Sequence, residues 1–228
     1  SCFILFFIYL KLSNDRLASL CFSYTNMAWL GFPIAIAIFG IENSMAMIPL
    51  YIGVSIFGNS WAVTSVSSAP QSRLELLKKM LQSPPVIALM ISGALRCFDV
   101  QHFQNDDWVN WMYTAAKWSM SFAGMCVLGM WLRKTKVYLD DLVISSKLAV
   151  LKILCGVVLC TLAYLFLPVP HIHEYIGVMF LLFCLPPAAN IVALETHYQG
   201  TGISAQYIAS GTIVSCVVCV IYGVMVHL

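Results

Sequence analysis

The sequence contains few charged residues: Asp, Glu, Lys and Arg make up 10% of the 228 residues, whereas hydrophobic residues make up 61%. A folded soluble domain needs more polar side chains than this to cover its surface. The low charge content therefore excludes an ordinary soluble protein. Together with a mean hydropathy of +0.86, it predicts an all-α integral membrane protein surrounded by the lipid bilayer.

The sequence also lacks the motifs that mark common enzyme active sites. It contains no glycine-rich phosphate loop, no nucleophile elbow and no cluster of residues with metal-ligand spacing. Cys216 and Cys219 have the spacing of half a zinc site, but no second pair accompanies them, so we interpret the cysteines as small core residues. We expect neither an enzyme nor a resident metal or cofactor, and no nucleic-acid partner.

The chain does not begin with a methionine or with the basic flank and small-residue cleavage site of a signal peptide. Ser1 is followed directly by an apolar run. This beginning predicts that the sequence is the C-terminal part of a longer protein.

Long apolar runs recur along the whole chain. A run of about 20 residues in a helix crosses a hydrocarbon core of about 30 Å. We predict an incomplete span at 1–10 and seven complete spans at 17–40, 44–67, 84–98, 108–132, 147–168, 174–198 and 203–227.

Basic residues are concentrated in or beside alternate connections between these spans. Short loops that are rich in lysine and arginine stay in the cytoplasm, so the pattern predicts cytoplasmic basic connections and an external C-terminus at Leu228. The basic residues concerned are Lys11 and Arg16, then Arg73, Lys78 and Lys79, then Arg133, Lys134, Lys136, Lys147 and Lys152.

Two predicted spans contain helix breakers and resemble each other. A shift of 160 residues aligns Gly40 with Gly200 and Ser44 with Ser204, and it brings 26-NMAWLGFP-33 close to 185-LPPAAN-190. By the charge pattern the two spans cross the membrane in opposite directions. Two interrupted helices in inverted orientation are typical of secondary transporters, which bind their substrate at the breaks.

The prolines indicate how such a site would work. Proline is favourable at the start of a helix, so Pro33 and Pro187 are each predicted to begin a half-helix whose free N–H groups attract an anion. A carboxylate is the expected occupant. The alternative is that the prolines only kink two helices. The candidate substrate-binding residues are Asn26, Gly31, Pro33, Pro186, Pro187 and Asn190.

The chain resembles the auxin efflux carrier family, which includes bacterial malate and malonate permeases. The resemblance lies in 26-NMAWLGFPIAIAIFG-40, 79-KMLQSPPVIALMISGAL-95 and 185-LPPAANIVALETHYQG-200. It implies two inverted five-helix repeats with broken, crossed helices 4 and 9, a fold related to that of the bile-acid symporters. It also implies a homodimer.

The resemblance divides the chain into three parts. Residues 1–67 would hold the end of helix 3 with helices 4 and 5, residues 68–83 a cytoplasmic linker, and residues 84–228 helices 6–10. Leucines at helical spacing in the linker fit a helix lying on the membrane surface, and a plain basic loop fits equally well.

The expected function is secondary active transport of small organic anions, mono- or dicarboxylates, across the plasma or bacterial inner membrane. Two alternatives remain at this stage. The first is a sodium-coupled symporter of the bile-acid type, and the second is a membrane receptor or sensor built on a transporter-like body.

Three ionisable residues lie in or beside predicted spans. Glu195, Lys117 and His197 are candidates for coupling transport to H⁺ or Na⁺, because a charge inside the bilayer costs at least about 2.5–3.5 kcal/mol and is retained mainly for function. The alternative for Glu195 and Lys117 is a position at the membrane interface, reached in the case of Lys117 by an extended side chain.

Overall fold

The structure, a computed structural model, describes residues 1–62, 84–97, 107–167, 172–198 and 203–228, with a few single positions between 63 and 83. These residues form ten α-helices and no β-strand. The helices are α1 (Cys2–Ser13), α2 (Arg16–Ser23), α3 (Phe32–Ser44), α4 (Met47–Phe57), α5 (Pro84–Cys97), α6 (Asp107–Lys134), α7 (Leu139–Phe166), α8 (Ile172–Cys184), α9 (Asn190–Tyr198) and α10 (Ser204–His227). Two π-helical turns, Met27–Gly31 and Gly58–Ala62, precede α3 and follow α4.

Three helical segments are long and apolar enough to cross a membrane. They are Met27–Ser44, Leu139–Phe166 and Ser204–His227, and among the described residues Cys2–Ser13, Met47–Phe57 and Ile172–Cys184 are shorter apolar helices. This arrangement fits a transmembrane protein and confirms the all-α class. Three of the seven predicted complete spans thus overlap helical segments of sufficient length, of which Met27–Ser44 is kinked at Gly40.

Apolar side chains on the outer faces of α7 and α10 remain exposed. Leu154, Val158 and Leu165 of α7 and Val220 and Met225 of α10 each expose more than half of their surface. A soluble monomer rarely exposes so extended an apolar surface, whereas lipid chains would cover it favourably.

The first helix break lies between α2 and the π-helical turn. Asp15 begins α2 by accepting hydrogen bonds from the N–H groups of Leu17 and Ala18 at 2.8 and 3.2 Å. The helix ends at Ser23, and residues 24–26 form the break. Helical backbone resumes at Met27.

The position of Pro33 differs from the prediction. It lies in the first turn of α3, but the π-helical turn already runs into that helix, so Pro33 does not begin the half-helix. In an α-helix the ring of Pro33 would clash with the carbonyl four residues earlier, at Trp29. In the wider π-helical turn, Gly31 N–H donates to the carbonyl five residues earlier, Asn26 O, at 3.1 Å. The turn thus interrupts the four-residue hydrogen-bond spacing of an α-helix just before the proline.

The second break follows α8 and was predicted correctly at 185-LPPAAN-190. Helix α8 ends at Cys184 and α9 begins at Asn190. Pro187 was predicted to begin this half-helix, and that prediction is wrong because Pro187 forms an isolated antiparallel bridge with Thr25.

Parts of the predicted organisation lie outside the described residues. The linker 68–83 is described only at single positions, of which Leu74, Lys78 and Leu81 are helical. The connections at 98–106, 168–171 and 199–202 are not described.

Candidate functional site

The two helix breaks cross each other and are joined through their main chains. Asn26 N–H donates to the carbonyl of Pro186 at 2.9 Å, and Ala188 N–H donates to the carbonyl of Tyr24 at 2.8 Å. These two bonds surround the antiparallel bridge between Thr25 and Pro187. Each break thus satisfies main-chain groups that the other leaves open, as a low-dielectric interior requires. The second bond occupies the N–H of Ala188, one of the groups directly after Pro187 that were predicted to attract an anion.

Tyr24 fixes the crossing from one side. Its ring is buried and packs close to Gly58, where a side chain would overlap it. The Asn190 side-chain amide donates to the Tyr24 hydroxyl at 2.8 Å. Asn190 therefore links the start of α9 to the first break, as a structural contact between two of the predicted site segments.

Asn26 has two different roles at the first break. Its Oδ1 accepts a hydrogen bond from Trp29 N–H at 3.3 Å and so caps the π-helical turn. Within the described part of the chain, its Nδ2 and the hydroxyl of Thr25 are buried and have no hydrogen-bond partner. Buried polar atoms are normally paired, so these two atoms are available to a bound ligand.

The prolines of the second break leave main-chain carbonyls without helical partners. Pro186 and Pro187 supply no N–H, and the residues after them have left the helix. Three consecutive carbonyls find other donors: Cys184 O accepts from Cys219 Sγ at 3.7 Å, Leu185 O from Lys152 Nζ at 2.8 Å and Pro186 O from Asn26 N–H at 2.9 Å.

Lys152 was placed incorrectly by the sequence analysis. The charge pattern places it among the basic residues in or beside a cytoplasmic connection, with the span beginning at 147. Helix α7 begins at Leu139, and Lys152 is near its middle, with a residue exposure of 5%. The residue was overlooked as a site candidate because the helix start was predicted too late.

A small cavity adjoins the second break. It has a volume of about 40 Å³ and lies between α7, α10 and the prolines. The residues that line the cavity include Ser145, Lys152, Pro186, Pro187, Tyr207 and Ser215. The site therefore combines main-chain breaks, one buried amine and hydroxyl groups in an otherwise apolar surrounding.

Glu195 is fully buried, with 0% exposure. Its carboxylate accepts hydrogen bonds from the N–H groups of Ile203 and Ser204, each at 2.7 Å, and from the Ser204 hydroxyl. These donors belong to the first turn of α10, where unpaired N–H groups and the helix dipole favour a negative charge. Both carboxylate oxygens thus hold α10 to α9, and the coupling role predicted for Glu195 remains a prediction.

The other predicted residues are distributed unevenly. Gly31 lies at the crossing, where a Cβ would come within 2.8 Å of Leu185 Cδ1. Lys117 lies on α6 and His197 on α9, but their side chains fall outside the described part of the structure. The structure thus brings together Asn26, Gly31, Pro186, Pro187 and Asn190. Pro33 lies in the first turn of α3, which follows the crossing.

No protein-family model, curated protein or solved structure matches this chain. The resemblance to the auxin efflux carriers therefore remains a prediction from the short segments quoted above.

Proposed function

We propose that the protein is a secondary transporter of small organic anions, mono- or dicarboxylates, with its substrate site at the crossing of the two breaks. The observation that carries the proposal is the pair of interrupted helices joined by an antiparallel main-chain bridge. Continuous helices would satisfy their own main-chain groups at lower cost, so interrupted ones inside a membrane protein are expected where they border a site or cavity.

The chemistry of the crossing favours an anion. Asn26 Nδ2 is a donor only, and the Thr25 hydroxyl can also donate, and both are buried without partners in the described structure. Lys152 adds a positive charge beside the second break. Donors and a cation in an apolar surrounding bind a carboxylate more strongly than a neutral solute.

The arrangement also supports alternating access. The two breaks run antiparallel where they meet, as expected if the broken helices cross the membrane in opposite directions. Only two main-chain hydrogen bonds and the Asn190–Tyr24 bond are seen between the two breaks among the described residues. In this proposal the helices around the crossing shift to expose the site first to one side of the membrane and then to the other.

The test is uptake of labelled malonate, malate and acetate by proteoliposomes that contain the full-length protein. The informative variant is Asn26→Asp, because Asp keeps the acceptor that caps Trp29 N–H. It removes the buried donor and adds a charge that repels a carboxylate. We expect at least a roughly tenfold lower kcat/KM, the effect of losing one hydrogen bond to a charged group.

Asn43→Asp is the matched control, because it makes the same change at an exposed position of α3. Its uptake should equal that of the wild type. Uptake by Asn26→Asp at the wild-type rate would remove this amide from the site, and wild-type protein that moves none of the anions would refute transport of carboxylates.

A further inference from the structure

Lys152 lies at the centre of the long apolar helix α7. Thirteen residues of the helix precede it and fourteen follow it, within the 28 residues of Leu139–Phe166. A cation inside a span costs up to about 2.5–3.5 kcal/mol on insertion scales, and membrane proteins keep such residues mainly for function. The position therefore calls for an explanation beyond the fold.

The hydrogen bond to the Leu185 carbonyl explains only in part why a lysine is buried at this position of α7. A lysine ammonium has three donors, and the structure shows one hydrogen bond from it, to Leu185 O at 2.8 Å. A neutral donor would satisfy that carbonyl without bringing a charge into the protein interior. Among the described residues no carboxylate lies within 4.0 Å of the amine. A buried cation of this kind is stabilised by an anion.

The surface around the amine is built from matching faces of two helices. Ser145 and Lys152 are seven residues apart on α7 and so lie on one face. Tyr207, Gly211 and Ser215 recur every four residues on α10 and form the opposite wall. The cavity of about 40 Å³ lies between the faces, with the prolines of the second break at its end.

The size of the cavity limits what can enter it. One water molecule needs about 10–15 Å³ of cavity volume. The cavity of about 40 Å³ therefore holds roughly three water-sized groups, which is the size of one carboxylate group. A second cavity of about 90 Å³ is lined by Asp141, Gln206 and Ser210. The hydroxyl of Ser145, which lines the first cavity, and that of Ser210, which lines the second, are hydrogen-bonded at 2.7 Å.

We propose that Lys152 and the Ser215 hydroxyl bind a carboxylate group of the transported anion in the cavity of about 40 Å³ beside the second break. This inference rests on the proposed function and names the charge that selects its substrate. Lys152 Nζ then bridges the substrate carboxylate and Leu185 O, so an occupied site tightens the contact between α7 and the second break.

The test measures malonate binding by thermal unfolding of the full-length protein in detergent, separately from transport. Wild-type protein should be stabilised by malonate in a saturable manner. Lys152→Met should lose this stabilisation or weaken the malonate Kd by about 10- to 100-fold, the expected effect of removing a charged hydrogen bond. Lys147→Met is the matched control, because Lys147 is an exposed lysine on the same helix, and it should bind malonate as the wild type does.

Two further variants keep the test decisive if Lys152→Met does not fold. Ser215→Ala should raise the malonate Kd by about three- to tenfold, whereas Ser146→Ala, at an exposed position of α7, should not. Lys152→Arg keeps the charge in a larger group and should retain weakened binding. Equal Kd values for Ser215→Ala and wild type, together with unchanged binding by the Lys152 variant that folds, would overturn the assignment.

The outcomes separate this inference from the proposed function. Malonate uptake by the wild type that is unchanged in the Lys152 and Ser215 variants leaves transport standing and refutes the subsite. Malonate binding that depends on Lys152 without any uptake leaves the subsite standing and refutes transport. Equal stabilisation by chloride and by malonate would show a general anion site and would overturn the assignment to carboxylates.

Discussion

Gly211 allows α10 to approach the second break closely. A Cβ at this position would come within 2.9 Å of Pro187 Cδ, which belongs to a ring that cannot rotate away. The absence of a side chain therefore sets the distance between α10 and the proline. This contact lies in the wall of the cavity beside Lys152.

We predict that Gly211→Ala destabilises the protein. The added methyl group forces Pro187 or α10 to move, and overpacking of this kind costs about 1–3 kcal/mol. Gly53→Ala is the control, because nothing lies within 4 Å of a Cβ there, and alanine favours a helix by up to about 1 kcal/mol over glycine. Thermal unfolding in detergent should show a lower Tm for the first variant and an unchanged or higher Tm for the second. Equal melting of Gly211→Ala and wild type would contradict the packing argument.

At the residue scale, the sequence identified the amides and glycine of the crossing but missed Lys152. Gly31 and Asn190 lie within three residues of a proline and Asn26 lies seven residues before one, and this local signal singled them out. Lys152 was assigned to a connection because nearby charges suggested one. The overlooked signal was the acidic pair Asp140 and Asp141, which favours a helix start at Leu139 and so places this lysine near the middle of α7.

At the scale of helices, Glu195 connects the short helix α9 to the start of α10. The connection between these helices at 199–202 is not described, but the carboxylate already receives the N–H groups of Ile203 and Ser204. A buried carboxylate at this end of a helix satisfies donors that have no partner within the helix. Glu195 thus performs the task of a capping residue from a different helix.

We predict that Glu195→Gln weakens this attachment. The neutral amide keeps one acceptor oxygen but loses the charge and one acceptor, which should cost about 1–3 kcal/mol. Glu42→Gln, at an exposed position of α3, is the control. Thermal unfolding should show a lower Tm for the first variant only. A fully stable Glu195→Gln protein with uncoupled transport would instead support the coupling role predicted from the sequence.

The elements themselves could be predicted to different degrees. The second break was located correctly because two adjacent prolines prevent a helix through purely local effects. The start of the first half-helix was predicted too late, at Pro33 rather than Met27, because the start depends on the distant Pro186 carbonyl that accepts from Asn26. Asn26 is itself a favourable N-cap residue, which was the available local signal.

On the scale of the whole molecule, two groups of elements follow the same order. In each group an apolar helix precedes a helix that ends at a break, and a further helical segment and another helix follow. The first group comprises α1, α2, α3 and α4, and the second comprises α7, α8, α9 and α10. Their breaks meet in antiparallel fashion. An inverted repeat would show this order, but the repeat remains a prediction, and it does not specify individual side chains such as Lys152.

We predict that the C-terminus lies outside the cell and that the connection between α6 and α7 lies inside. An epitope placed after Leu228 should bind antibody on intact cells, whereas an epitope inserted at Lys136 should bind only after permeabilisation. Transport activity of each tagged protein serves as the control for correct insertion. Labelling of the Lys136 epitope on intact cells would show that the charge pattern gave the wrong orientation.

The apolar character of α7 has a consequence for insertion of the protein during synthesis. The most apolar 18-residue stretch of α7 has a mean hydropathy of 2.3, against 1.3 for Met27–Ser44, although the helix carries the buried Lys152. On insertion scales one such lysine is offset by about seven leucine, isoleucine, valine or phenylalanine residues, and residues 148–166, beyond the charged first turns of α7, contain 11 of them. This part of the helix is therefore apolar enough to enter the bilayer without a partner that neutralises the lysine.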